Sequence, residues 1–113
     1  MNSKVAIAAL AMTIAVSGSA NAQSQQPAIS SAWGTMKLSQ QACLERGRET
    51  FERVKFSRIE IIGQSVFADR GNFQFAFRCV ADYGIFYVYG GGPGDADRDL
   101  NNTINNLKDE FGR

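Results

Sequence analysis

The sequence predicts an α+β fold in the order β-α-β-β-β-α, with both helices packed on one face of an antiparallel sheet and one disulfide joining the layers. Three observations carry this expectation. The stretch FQFAFRCV, residues 73–80, alternates: Phe73, Phe75, Phe77 and Cys79 fall on one face of a strand, and Gln74, Ala76, Arg78 and Val80 on the other. Near the C-terminus, Leu100, Ile104, Leu107 and Phe111 recur at spacings of four, three and four, one stripe of a helix. The two cysteines, Cys43 and Cys79, each lie on the apolar side of their own element, so a bridge between them ties a helix to the sheet across the core.

The first residues, 1–22, read as an export signal. Lys4 supplies the positive start, Val5–Val16 an apolar run, and Ala20-Asn21-Ala22 a small-x-small cleavage site. The run falls short of the ~20 residues a membrane-spanning helix needs. Cleavage after Ala22 leaves 91 residues in which eleven basic side chains balance eleven acidic ones, a balance that suggests neither a nucleic-acid partner nor an anionic membrane. A periplasmic or secreted location follows, with no membrane insertion once the signal is removed. In that oxidising compartment two cysteines imply a single structural disulfide.

Residues 23–31 are polar, carry a proline and show no apolar period, so a flexible arm is expected there before a single domain over 32–113. Within AWGTMKL, Ala32–Leu38, alternation predicts a short strand. Ser39 is a credible N-cap for a helix over Gln40–Val54 with Cys43, Gly47, Thr50, Phe51 and Val54 inward, and Gly47 would let that helix lie close to a sheet. Glu45, Arg46, Arg48, Glu49, Glu52 and Arg53 then form a solvated face of mixed charge rather than a catalytic carboxylate pair. A strand over Ser57–Ile62 with a kink at Gly63 continues through Ser65–Asp69, and a turn at Gly71-Asn72 or Arg70-Gly71 leads into the phenylalanine strand. After a second turn at Asp82-Tyr83-Gly84, IFYVY sends Phe86 and Val88 to one face and Ile85, Tyr87 and Tyr89 to the other. The last helix spans Asp95–Phe111, ended by Gly112.

The helical cysteine, GQSVFADRGNF, FRC and GGGPGDAD before a last helix together resemble small one-disulfide secreted or periplasmic bacterial domains of unknown function. The likeness covers most of the mature chain and rests on glycine, apolar and cysteine positions. It implies an architecture and no mechanism.

GGGPGDADRDL, residues 90–100, invites two ligand readings. A phosphate at a helix start needs free N–H groups without competing negative charge, and the aspartates oppose it. The dinucleotide fingerprint would want glycine where Asp95 stands, and no Gly-Lys-Ser/Thr follows. For calcium, Asp95, Asp97, Asp99 and Asn101 match positions one, three, five and seven of an EF-hand loop, but position six is Leu100 and position twelve Asn106. The reading preferred here has Asp95 capping the last helix, Asp97 and Asp99 complementing its dipole, and the glycines forming a bend. No cofactor is expected.

The chain has no histidine, which removes the usual general base and the commonest zinc ligand together, and no catalytic motif replaces it; an enzyme is not expected. The positive clue is the sheet face opposite the phenylalanines. There Tyr87, Tyr89 and Ile85 should neighbour Arg78, Ala76, Val80 and Phe67, residue types that interfaces enrich. Two readings of this face remain open: a docking surface for a protein partner or a second copy, or a surface covered by the N-terminal arm with Trp33. The function expected is therefore a small exported binding or accessory module, one form being a hydrolase inhibitor that inserts the segment Asp69–Asn72 into a cleft. A weak calcium-binding domain and a structural envelope protein without a ligand site are the alternatives.

Overall fold

The computed structural model describes residues 27–94 and 97–113, with Asp97 described by its backbone. Residues 1–22, expected as an export signal, residues 23–26 of the expected arm and Asp95 lie outside the described residues. The elements are β1 (Pro27–Thr35), α1 (Gln40–Arg53), β2 (Ser57–Ile62), β3 (Ser65–Arg70), β4 (Phe73–Val80), a 3-10 turn (Ala81–Tyr83), β5 (Ile85–Pro93) and α2 (Asp97–Phe111). The strands form one antiparallel sheet in the order β1-β5-β4-β3-β2, a meander of four strands to which β1 adds at one edge. The fold is α+β, and both helices pack on the same face of the sheet.

Local chemistry accounts for most boundaries. Ser39 caps α1, its Oγ accepting from the Ala42 N–H at 3.1 Å. At the other end Lys55 takes the left-handed conformation (φ 69°), donating from its N–H to Glu52, while the Phe56 N–H reaches back to the Phe51 carbonyl. That is the paired closure of a helix C-terminus, accompanied by its usual apolar contact, here the rings of Phe51 and Phe56 at 5.2 Å. Gly63 is more than a kink. With φ 60° it is the first residue of a two-residue turn that pairs Ile62 with Ser65, so the segment expected as one bent strand forms the β2–β3 hairpin. Gly71-Asn72 makes the same kind of turn into β4.

Further boundaries differ from the sequence reading: the first strand ends at Thr35 instead of Leu38, and two more differ where β1 pairs with β5. β1 begins at Pro27, so residues 27–31, expected in the flexible arm, pair with Tyr89–Pro93. The glycine run differs in the same place: Gly90, Gly91 and Gly92 continue β5 instead of bending away from it, and the bend comes only at Gly94. The physical reason is the neighbouring strand. A Cβ at Gly90 would stand 2.3 Å from the Phe75 ring, and one at Gly92 2.7 Å from the Phe73 ring. The rings occupy the space that side chains on β5 would need, and they supply the apolar cover that glycine lacks.

The core lies between this face and the helices. Phe51, Val66, Phe77, Val88, Ile104, Leu107 and Phe111 are almost wholly buried, and the Phe77 ring packs at a tilt against Phe51 at 4.9 Å and Phe111 at 5.1 Å. Gly47 sits where the first helix meets the sheet, with Val66 and Phe77 at 3.2–3.3 Å from any added Cβ, as close approach requires. The Cys43–Cys79 disulfide joins α1 to β4 with Cα atoms 6.0 Å apart, both residues buried. On the outside of α1, Arg48 bridges Glu45 and Glu52, and the Glu45 hydrogen bond first, then its charge, holds the guanidinium more firmly protonated. That is an ion-paired helix surface.

Candidate binding face of the sheet

Strand pairing sends alternate residues to opposite faces, so the core-facing set fixes the other set. Three cross-strand rows make up the outer face. One runs through all five strands as Ile62, Ser65, Arg78, Tyr87 and Trp33; a second as Glu60, Phe67, Ala76, Tyr89 and Ser31; a third as Asp69, Gln74, Gly91 and Ile29. All five candidate binding residues, Phe67, Arg78, Ile85, Tyr87 and Tyr89, therefore share this face. Ile85 closes it at the end of β5, between Val80 and Thr35.

The face is open. Trp33 is 58% exposed, Ile62 55%, Ile29 76% and Tyr87 40%, and among the described residues neither helix packs over them. Trp33 does not fold over the tyrosines. It is a strand residue directly opposite Tyr87 and extends the aromatic surface sideways. Ala76, between Phe67 and Tyr89 in its row, is buried although it points outward. Beside them, the missing side chain at Gly91 leaves a shallow groove of about 290 Å³ lined mainly by Ile29, Phe67, Gln74, Ala76 and Tyr89. Arg78 is the cation of the first row, and its Nη2 donates to the Gln64 side chain at 2.9 Å.

At the β2 edge Arg58 adopts φ 52° within an irregular stretch of pairing between Ser57 and Glu60, and its guanidinium meets Asp69 at 2.5 Å. Asp69 and Arg70 thus belong to β3, and the segment Asp69–Asn72 is a hairpin tip with its first residue tied down by an ion pair.

The acidic stretch before α2 takes a helical form. Asp97 begins α2, and Asp99 and Asn101, two residues apart in its first turns, point about 200° apart and so diverge. Asn101 is engaged elsewhere, its Oδ1 accepting from the Ser30 hydroxyl. Among the described residues no three carboxylates or cysteines group as metal ligands would, and no helix is long and apolar enough to cross a membrane.

Sequence reasoning missed Trp33, Ile29 and Ile62 as members of the face. For Trp33 a signal was present, since Trp33 and Thr35 alternate with the small residues Ala32 and Gly34. No protein-family model and no curated protein matches the chain.

Proposed function

We propose that this chain is a small exported, non-catalytic binding module whose outer sheet face docks a protein partner. The observation that carries the reading is the row Trp33-Tyr87-Arg78, exposed on a face that neither helix covers. Tyr, Trp and Arg are the side chains that concentrate binding energy in interfaces, and a rigid sheet holds them at little entropic cost. The partner that fits presents an apolar side chain to the groove at Gly91 and a carboxylate to Arg78. The lack of histidine and the joining of both cysteines support a role without catalysis. The disulfide and the export-like first 22 residues support a periplasmic or secreted location.

Position-specific crosslinking tests this reading. A photoreactive residue in place of Tyr87 is expected to trap one defined envelope or extracellular protein, and Trp33→Ser is expected to abolish the adduct. The same residue in place of Glu49, on the solvated side of α1, is the control. Identical adducts from both positions would sink the proposal.

A further inference from the structure

The two edges of the sheet are built differently. β2, at one edge, is interrupted by the irregular pairing at Arg58 and carries Arg58 and Glu60, the devices by which natural edges avoid pairing with another chain. β1, at the other, is nine residues long and regularly paired to β5 throughout, with no charged residue. Proline stands only at its first position. Such an edge is a template for another strand.

We propose that the occupant is a second copy of this chain, paired β1 to β1 in antiparallel fashion about a two-fold axis at Ser31. The strand is self-complementary in that register. Ser31 is the central residue of Pro27–Thr35, so an axis there pairs the whole strand and sets Trp33 opposite Ile29 of the second copy, with Ile29 opposite its Trp33. These are the two large exposed apolar residues of β1, and each covers the other. On the inner side Gly34 meets Ala28 and Ala32 meets Ser30, small residues that leave room for the two copies of α2.

Two further features fit this occupant. An open groove of about 690 Å³ runs along the C-terminal half of the edge, between Trp33, Gly34 and Thr35 on the strand, Lys108 on α2 and the C-terminal Arg113. The paired strand lays Pro27–Ile29 of the second copy into it. Lys108, whose stem lies beside Gly34, does not oppose its own copy: six residues of strand separate the two positions, about 20 Å at ~3.4 Å per residue, beyond the Debye length of about 8 Å at physiological salt. The result is one continuous sheet with five strands from each copy and a doubled outer face. A contact of one strand per copy lies at the small end of specific interfaces, below about 1,200 Å² in total, so the dissociation constant is expected at about 1–100 µM.

Sedimentation of the oxidised protein, recovered from an exporting host and run from about 1 to 500 µM to bracket that constant, is the test. Wild type should pass from monomer to dimer, and Ser31→Lys, which puts two ammonium groups face to face at the axis, should weaken association by up to about fivefold. Ser31→Cys should crosslink two chains on oxidation and Thr35→Cys should not, because the two copies of residue 35 lie at opposite ends of the paired strand. A monomer throughout overturns the pairing and leaves the edge to an extended segment of another protein. A dimer indifferent to Ser31→Lys, or equal crosslinking from both cysteines, overturns the register and with it the proposal. Repeating the Tyr87 crosslinking on wild type at a concentration where sedimentation finds only monomer separates this inference from the docking proposal, since the monomer retains the outer face unchanged.

Discussion

The two faces of this sheet are made from the same five strands and the same aromatic content, yet they use it in opposite ways. On the inner face phenylalanine rings lie over glycines and against helices, so each aromatic removes space from its neighbours. On the outer face Trp33, Tyr87 and Tyr89 stand on positions over which no second layer from the described residues lies. The difference teaches that aromatic richness alone does not mark a site. What marks it is an aromatic row whose opposing layer is missing.

Predictions follow the contrast from its strongest side. Phe77→Ala, at the centre of the inner face between Phe51 and Phe111, should cost about 3–5 kcal/mol in urea unfolding. Replacing both cysteines by alanine should cost about 4 kcal/mol, because the bridge closes a loop between positions 36 apart in sequence. Gly90→Ala should cost about 1–3 kcal/mol by driving a methyl group into the Phe75 ring, whereas Gly63→Ala, with open space around it, should show only the strain of its positive φ. If Gly90→Ala is neutral, the ring-over-glycine account of β5 is wrong. Lys55→Gly should stabilise by up to about 1 kcal/mol, since glycine suits the left-handed cap that lysine now occupies. Last, Tyr87→Ser should change stability by no more than about 0.5 kcal/mol while reducing partner capture, and a large loss of stability there would mean that the outer face is structural.

The fold class was legible because the inner face is written in strong periods. Phe75, Phe77 and Cys79 alternate, Leu100, Ile104, Leu107 and Phe111 keep a helical spacing, and the cysteines agree with both. The first half of β1 and the second half of β5 were not legible, and for one shared reason. Pro27–Ser31 and Gly90–Pro93 are each poor strand sequences, and they hold each other in the sheet together with rings that belong to β4. That cause is tertiary, so no window along the chain contains it. The candidate face was half legible: Tyr87, Tyr89 and Arg78 follow from the alternation of β4 and β5, but Trp33 needed the knowledge that β1 lies beside β5 rather than beside β2.

The same ladder also sets a gradient of local opening. Between Ala32–Thr35 and Ile85–Val88 the strands are pinned by Phe86 and Val88 in the core. Toward Ser30 and Gly90–Gly92, backbone entropy is high, and β5 contributes no side chain of its own to hold the pairing. Amide protons should therefore exchange fastest at the glycine end and slow progressively toward Phe86, so that the edge unzips from Pro27 without unfolding the domain. A second chain seated on that edge would flatten the gradient, and the exchange profile of β5 would record its arrival from one strand away.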